Sequence, residues 1–198
     1  KENKMGMDVY GLNPKQNKPL REFPTYEKWN KIPYGKRDKI KWEKEQEQFY
    51  TEMQNYEDVN IGTYFRNNCW WWRPLWNYCY QIADDLISEE LFESGHGNSG
   101  AGLDDKGAKL LGLRLIQHIR EGKTIQYQAS YQQYLDDLPD NDCFRCNNNN
   151  RGNNKKKECT NCNKTGKTTN FNKNYPFDID NVKQFAEFCL QSGGFKIC

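Results

Sequence analysis

Asp180-Asn-Val-Lys-Gln-Phe-Ala-Glu-Phe-Cys-Leu-Gln-Ser-Gly-Gly-Phe-Lys-Ile-Cys198 reads as helix, stop and strand, and that reading sets the fold class. Asp180 can cap a helix carrying Val182, Phe185, Ala186 and Cys189, which recur at the three- and four-residue steps of one helical face. Gly193-Gly194 ends the helix, because glycine enters the left-handed conformation without a steric penalty. Phe195 to Cys198 is then a short extended piece. Near the other end, Met7 to Tyr10 is a second one, stopped by Gly11 and Asn13-Pro14. Pairing the two makes a small sheet carried on helices, so the expected class is α+β.

Between these ends the apolar residues keep a helical period. Leu75, Tyr78, Cys79, Ile82 and Leu86 form one stripe, and Pro74 sits where such a helix can start. After the glycine-rich connection Gly95 to Gly102, Asp104 and Asp105 suit the positive end of a helix running through Leu111, Leu115 and Ile119 to Gly122. Tyr127, Tyr131, Tyr134 and Leu138 mark a further helix, with Pro139 as its stop. Arg37 to Tyr56 has few breakers and many Lys, Glu and Gln, enough for a helix whose apolar stripe (Ile40, Trp42, Phe49, Met53) is partial. The organisation read from this is an N-terminal strand (1–14), a charged and aromatic insertion (15–56), an acidic helical body (57–142), a basic zinc-knuckle subdomain (143–174) and a C-terminal helix and strand (175–198).

Charge supports that division. The chain of 198 residues has a net charge of +2, yet 57–142 holds seven Lys/Arg against fourteen Asp/Glu, and 143–174 holds eight against one. Mean hydropathy is low, at −1.11, while aromatic residues make up 14%. This combination implies a compact aromatic centre with polar protrusions. No window approaches the roughly 18 apolar residues of a membrane helix, and Lys1 to Asp8 lacks the apolar stretch of a secretory signal. The expectation is a soluble intracellular protein with no membrane partner.

Cys143-Phe-Arg-Cys146 and Cys159-Thr-Asn-Cys162 are paired CxxC knuckles, and each can present two thiolates to one tetrahedral ion. Together they predict a closed structural Zn2+ site in a reducing compartment, in preference to disulfides. A closed site leaves no coordination position for substrate, and no other motif announces a reaction, so the reading leans away from an enzyme. The twelve residues between Cys146 and Cys159 are rich in Asn and Lys and cannot build a core, so the metal must organise the lobe. Arg151, Lys155, Lys156 and Lys157 make that lobe a candidate nucleic-acid contact.

In Tyr64-Phe-Arg-Asn-Asn-Cys-Trp-Trp-Trp-Arg-Pro-Leu-Trp-Asn-Tyr78, the consecutive indoles Trp70, Trp71 and Trp72 cannot all face one way. One reading packs two in the core and lets the third cover a loop or stack on Arg73. The other makes them a stacking platform with Arg66 and Arg73 as phosphate donors and Asn67 or Asn68 reading a polar edge. His96 and Asn98, in Gly95-His-Gly-Asn-Ser-Gly100, are ligand-contact candidates on a loop that reads equally as a polar turn. Cys69, Cys79 and Cys189 read as inert core thiols.

Met5-Gly-Met-Asp-Val-Tyr-Gly-Leu-Asn-Pro14, the FRNNCWWWRPLW segment, GHGNSGAGL at Gly95 to Leu103, the paired knuckles, Tyr175-Pro-Phe177 and the closing Asn181 to Cys198 together resemble an uncharacterised family of small proteins found in phages and some bacteria. The resemblance spans nearly the whole chain except 15–56. It implies a bacterial host cytoplasm or a phage particle and supplies no catalytic residues. Cys159-Thr-Asn-Cys162 with its Thr165-Gly166 turn is also similar to half of the cysteine-rich zinc segment of DnaJ-type chaperones. The function expected is a zinc-stabilised binding or structural protein, a virion component or host-interacting factor with a protein partner. The alternatives are a nucleic-acid binder using the basic lobe and tryptophan segment, and a nucleotide-acting enzyme using Arg73, His96 and Asn98.

Overall fold

Met7 and Val9 point inward from strand β1 (Gly6–Gly11) while Asp8 and Tyr10 point outward, the two-residue alternation of a strand with one buried face. The structure is a computed structural model that describes residues 6–33, 36, 39–147 and 159–198, with 39–42, 146 and 147 described in backbone only. Strand β6 (Phe195–Ile197) pairs with β1, as expected of the two extended segments; the orientation is antiparallel, with Val9 opposite Ile197 and Tyr10 opposite Lys196. On the other side of β1 lies β2 (Tyr64–Asn68), with Val9 opposite Phe65, and the two-residue β3 (Gly102–Leu103) closes the order β2-β1-β6-β3. The fold is α+β.

The inner face of the sheet is covered by α8 (Ile179–Gln191), whose Phe185 and Phe188 rings lie 5.1 and 5.8 Å from Phe65 and 5.7 and 6.0 Å from Phe195. Helix α5 (Asp105–Arg120) packs along α8, and α3 (Cys69–Ile82) contacts both, so the core lies where these helices meet the sheet. Asp104 caps α5 by accepting a 2.7 Å bond from the Gly107 N–H, and Gly122, at φ 71°, separates it from α6 (Lys123–Asp137). Three expected boundaries are corrected. The cap of α8 is Asp178, not Asp180: it sits in extended backbone and accepts the Asp180 N–H at 2.6 Å, leaving Asp180 in the first turn. Helix α3 starts at Cys69, ahead of Pro74, because Asn68 accepts the N–H groups of Trp70 and Trp71 at 3.1 and 3.0 Å and so caps the tryptophan run itself. Helix α3 also stops at Ile82, and Leu86 belongs to a turn anchored on the Ala83 carbonyl.

Residues 15–59 add a helical hairpin of α1 (Pro24–Asn30) and α2 (Lys39–Val59), with buried Phe23, Trp29, Phe49 and Tyr56 between them. Buried Asn60 closes the base of this segment: its Oδ1 accepts from Asn17 N (2.7 Å) and Lys18 N (3.1 Å), and its Nδ2 donates to Lys18 O at 3.1 Å. Among the described residues no helix is long and apolar enough to cross a membrane.

The half-buried carboxyl of Glu57 lies near Tyr10 of β1 and Tyr26 of α1. Burial, helped by Asp58, pushes it from 4.5 up to about 7. Below 4.5 the group is protonated both folded and unfolded, so its stabilising share is complete; as pH rises through about 7 the folded chain must ionise it, and that share is lost. Glu57→Gln is therefore expected to be more stable than the parent at pH 8, by about 1 kcal/mol once solvent screening is allowed for, and equal to it at pH 4. Urea unfolding at the two pH values measures this, and equal curves at pH 8 would refute it.

Candidate metal centre

A two-stranded ribbon brings the knuckles together. Strand β4 (Asn141–Asp142) pairs antiparallel with β5 (Lys167–Thr168), and the Cys143 N–H donates to the Gly166 carbonyl at 2.9 Å. After Cys159 the chain folds back sharply: Lys164 N donates to Cys159 O and Thr165 N to Cys162 O, both at 3.0 Å. Asn163, Lys164 and Gly166 adopt φ of 47°, 71° and 80° to do so, and only the glycine is free of the left-handed penalty. The Thr165 hydroxyl reinforces the turn by donating to Cys162 O at 2.7 Å.

The sulfurs of Cys143, Cys159 and Cys162 end up buried, at 0%, 8% and 6% exposure, with all three within 4.8 Å of one another. Cys143 Sγ and Cys159 Sγ are 3.7 Å apart. A disulfide requires about 2.05 Å, whereas metal–sulfur bonds of about 2.3 Å in a tetrahedron place neighbouring sulfurs about 3.8 Å apart. No described cysteine is in a disulfide. Donors also converge on the sulfurs: Asn161 Nδ2 reaches Cys143 Sγ at 3.4 Å and the Gly166 N–H reaches Cys162 Sγ at 3.3 Å. Such donors favour the charged thiolate. Three thiolates this close would repel one another without a cation between them, so the group fits, and can hold, a metal ion. The backbone of Cys146 lies in the short helix α7 (Phe144–Asn147); its side chain, and all of Arg151, Lys155, Lys156 and Lys157, lie outside the described residues.

The remaining candidates are dispersed. Trp72 is fully buried, stacked on Trp76 at 5.4 Å, and its indole donates to Gly95 O at 2.8 Å. Trp71 is partly buried, and its carbonyl accepts from Asn181 Nδ2 at 3.4 Å. Trp70, also partly buried, lies against Phe171 and Tyr175, at 5.0 and 4.8 Å. The three indoles therefore do not form one open platform, because the α3 helix turns them to different sides. Asn67 is engaged too, donating to Asn181 Oδ1 at 2.7 Å, and Asn68 is the cap. Arg66 lies 3.6 Å from Asp8 on the outer face of the sheet.

His96 packs edge-on against Phe92 at 4.7 Å, and its Nδ1 is buried with no hydrogen-bond partner among the described residues. Burial holds its pKa below the ordinary range, against the opposing pull of Glu93, and so favours the neutral ring. Asn98 donates to the Gly6 carbonyl at 3.3 Å. Arg73 donates to Tyr175 Oη at 2.7 Å and borders a cleft that neither His96 nor Asn98 lines. Sequence reasoning missed the tyrosines of that cleft, because their spacing on α6 reads as a core stripe. Cys79 and Cys189 are buried thiols whose pKa burial raises, in keeping with inert core positions, whereas Cys69 is only partly buried.

Fold and site define an α+β protein with a cysteine cluster able to hold a metal ion. Comparison with protein-family models, curated proteins and solved structures finds no match to the chain.

Proposed function

We propose that this chain is a zinc-organised binding or structural protein, phage-related, serving as a virion component or host-interacting factor. Cys143, Cys146, Cys159 and Cys162 are its zinc ligands, the set that the two CxxC spacings provide. The observation that carries the reading is the 3.7 Å approach of Cys143 Sγ to Cys159 Sγ, which matches a tetrahedral thiolate site and is far too long for a disulfide. In a four-sulfur site the zinc is structural, so function falls to the surfaces that the folded lobe presents. The motif resemblance supports the phage setting.

The test has two arms. Freshly purified, reduced protein is expected to contain one zinc per chain, and absence of stoichiometric metal removes the reading. Affinity capture from infected bacteria with the parent and with Cys159→Ser is expected to yield a protein partner held by the parent alone. A second reading rests on the eight-to-one excess of Lys/Arg over Asp/Glu in 143–174, which suits nucleic acid. It predicts affinity that falls steeply with salt and weakens on charge reversal at Lys155, Lys156 and Lys157; no binding at low salt eliminates it.

A further inference from the structure

An open cleft of about 300 Å³ lies between α3, α6 and the 3-10 turn Phe171–Asn174, at the lower end of the size range of small-molecule sites. None of Cys143, Cys159 and Cys162 lines it. Tyr131 and Tyr134, three residues apart on α6, contribute rings whose centroids are 6.1 Å apart, and Tyr134 is 54% exposed. Tyr175 lines the cleft from beyond the turn, and the buried Pro74 and Leu135 complete its apolar surface.

Arg73 is the charged group in this lining, and it is held in place. Its guanidinium lies 5.6 Å from the centre of the Tyr175 ring and donates to that residue's hydroxyl at 2.7 Å, while Tyr175 is itself packed on Trp70 at 4.8 Å. A guanidinium has five N–H donors, and most of those on Arg73 stay available. Among the described residues no carboxylate pairs with Arg73 and none lines the cleft, although 57–142 holds fourteen acidic residues against seven basic. Asn77 and Asn172 add side-chain amides, each both donor and acceptor, that make no hydrogen bond among the described residues. The cleft thus offers a fixed cation, flat aromatic faces and two-way amides. An inorganic anion would use only the first, and a simple aromatic acid would make no use of the amides.

We propose that this cleft binds a nucleotide, with Tyr131 and Tyr134 stacking on the base, Arg73 and the Tyr175 hydroxyl holding the phosphate, and Asn77 and Asn172 reading the polar edge of the base. A free nucleoside monophosphate and one unit of a single strand present the same chemistry. This assignment goes beyond the zinc reading and stands whether or not the lobe binds metal.

The test titrates the full chain with the four ribonucleoside monophosphates, the matching nucleosides, inorganic phosphate and a short single-stranded oligonucleotide, followed by calorimetry and tryptophan fluorescence. At least one monophosphate or the oligonucleotide is expected to bind, with nucleoside or phosphate alone about tenfold weaker or worse. Arg73→Gln is expected to weaken binding about tenfold or more and Tyr134→Ala about fivefold or more. Both positions are exposed, and unchanged far-UV circular dichroism confirms that the variants fold. Binding by a monophosphate assigns the site to free nucleotide; binding by the oligonucleotide alone, with the same sensitivity to both variants, assigns it to a strand. No binding near 1 mM by any of these ligands, or binding that both variants leave unchanged, overturns the proposal.

Discussion

Cys159→Ser is expected to lose stoichiometric zinc and release the ribbon and the loop at 159–166, while the sheet and helices α3, α5 and α8 keep their melting behaviour. The effect is large because little else holds this region. Among the described residues its buried side chains cluster as Cys143, Cys159 and Cys162, and its cross-strand ion pair, Lys167 to Asp142 at 2.6 Å, is exposed and contributes little. Zinc bound by such modules contributes on the order of 10 kcal/mol of apparent free energy, most of which is folding energy of the lobe. Hydrogen exchange at Gly166 and Thr165 reads the loss directly, since their N–H groups donate to Cys162 Sγ and Cys162 O at 3.3 and 3.0 Å. Chelation of the parent should reproduce the variant, and adding a chelator to the variant should change nothing further. Protection retained in Cys159→Ser, with metal content unchanged, would show that the sulfurs are not organised by an ion.

The second large effect belongs to the tryptophan run, where neighbours of identical chemistry should behave very differently. Trp72→Ala is expected to cost about 3–5 kcal/mol, and a little more for stranding a buried acceptor. Trp72 is 0% exposed, stacked on Trp76 at 5.4 Å and edge-on to Phe185 at 5.5 Å, and its N–H serves the Gly95 carbonyl. Against a total stability of about 5–15 kcal/mol, that loss is a large fraction of the whole and lowers the urea midpoint strongly. Trp70→Ala removes a half-covered ring lying on Phe171 and Tyr175, and about 1 kcal/mol is expected. Urea midpoints of the two variants separate the roles. Equal costs would mean that α3 does not present the indoles as described.

The parts of this protein that were legible in its sequence are those in which one short segment carries its own instruction. The period of Val182, Phe185, Ala186 and Cys189, the positive-φ stop at Gly193 and Gly194, and the alternation in β1 each depend on near neighbours. The same holds for the cysteine group, since the CxxC spacing anticipates the convergence of Cys143, Cys159 and Cys162. Strand β2 was not legible: Asn67 faces inward and breaks the apolar alternation, and its amide is met by Asn181, on α8. Pro74 looked like a helix start because proline suits a first turn, and the Asn68 cap upstream settled the boundary instead.

What the sequence by itself determined is therefore the α+β class, a short extended segment near each end and the cysteine spacing. These follow from steric and periodic rules that act over a few residues, together with the need to bury the faces they create. Only the tertiary structure decided which indole is core, which amides are caps or clips, and that Arg73 meets Tyr131, Tyr134 and Tyr175 around a cleft. The physical reason is that α3, α6 and the segment after the cysteine cluster are brought together by packing between distant residues, such as Arg73 and Tyr175, 102 positions apart, which no local pattern encodes.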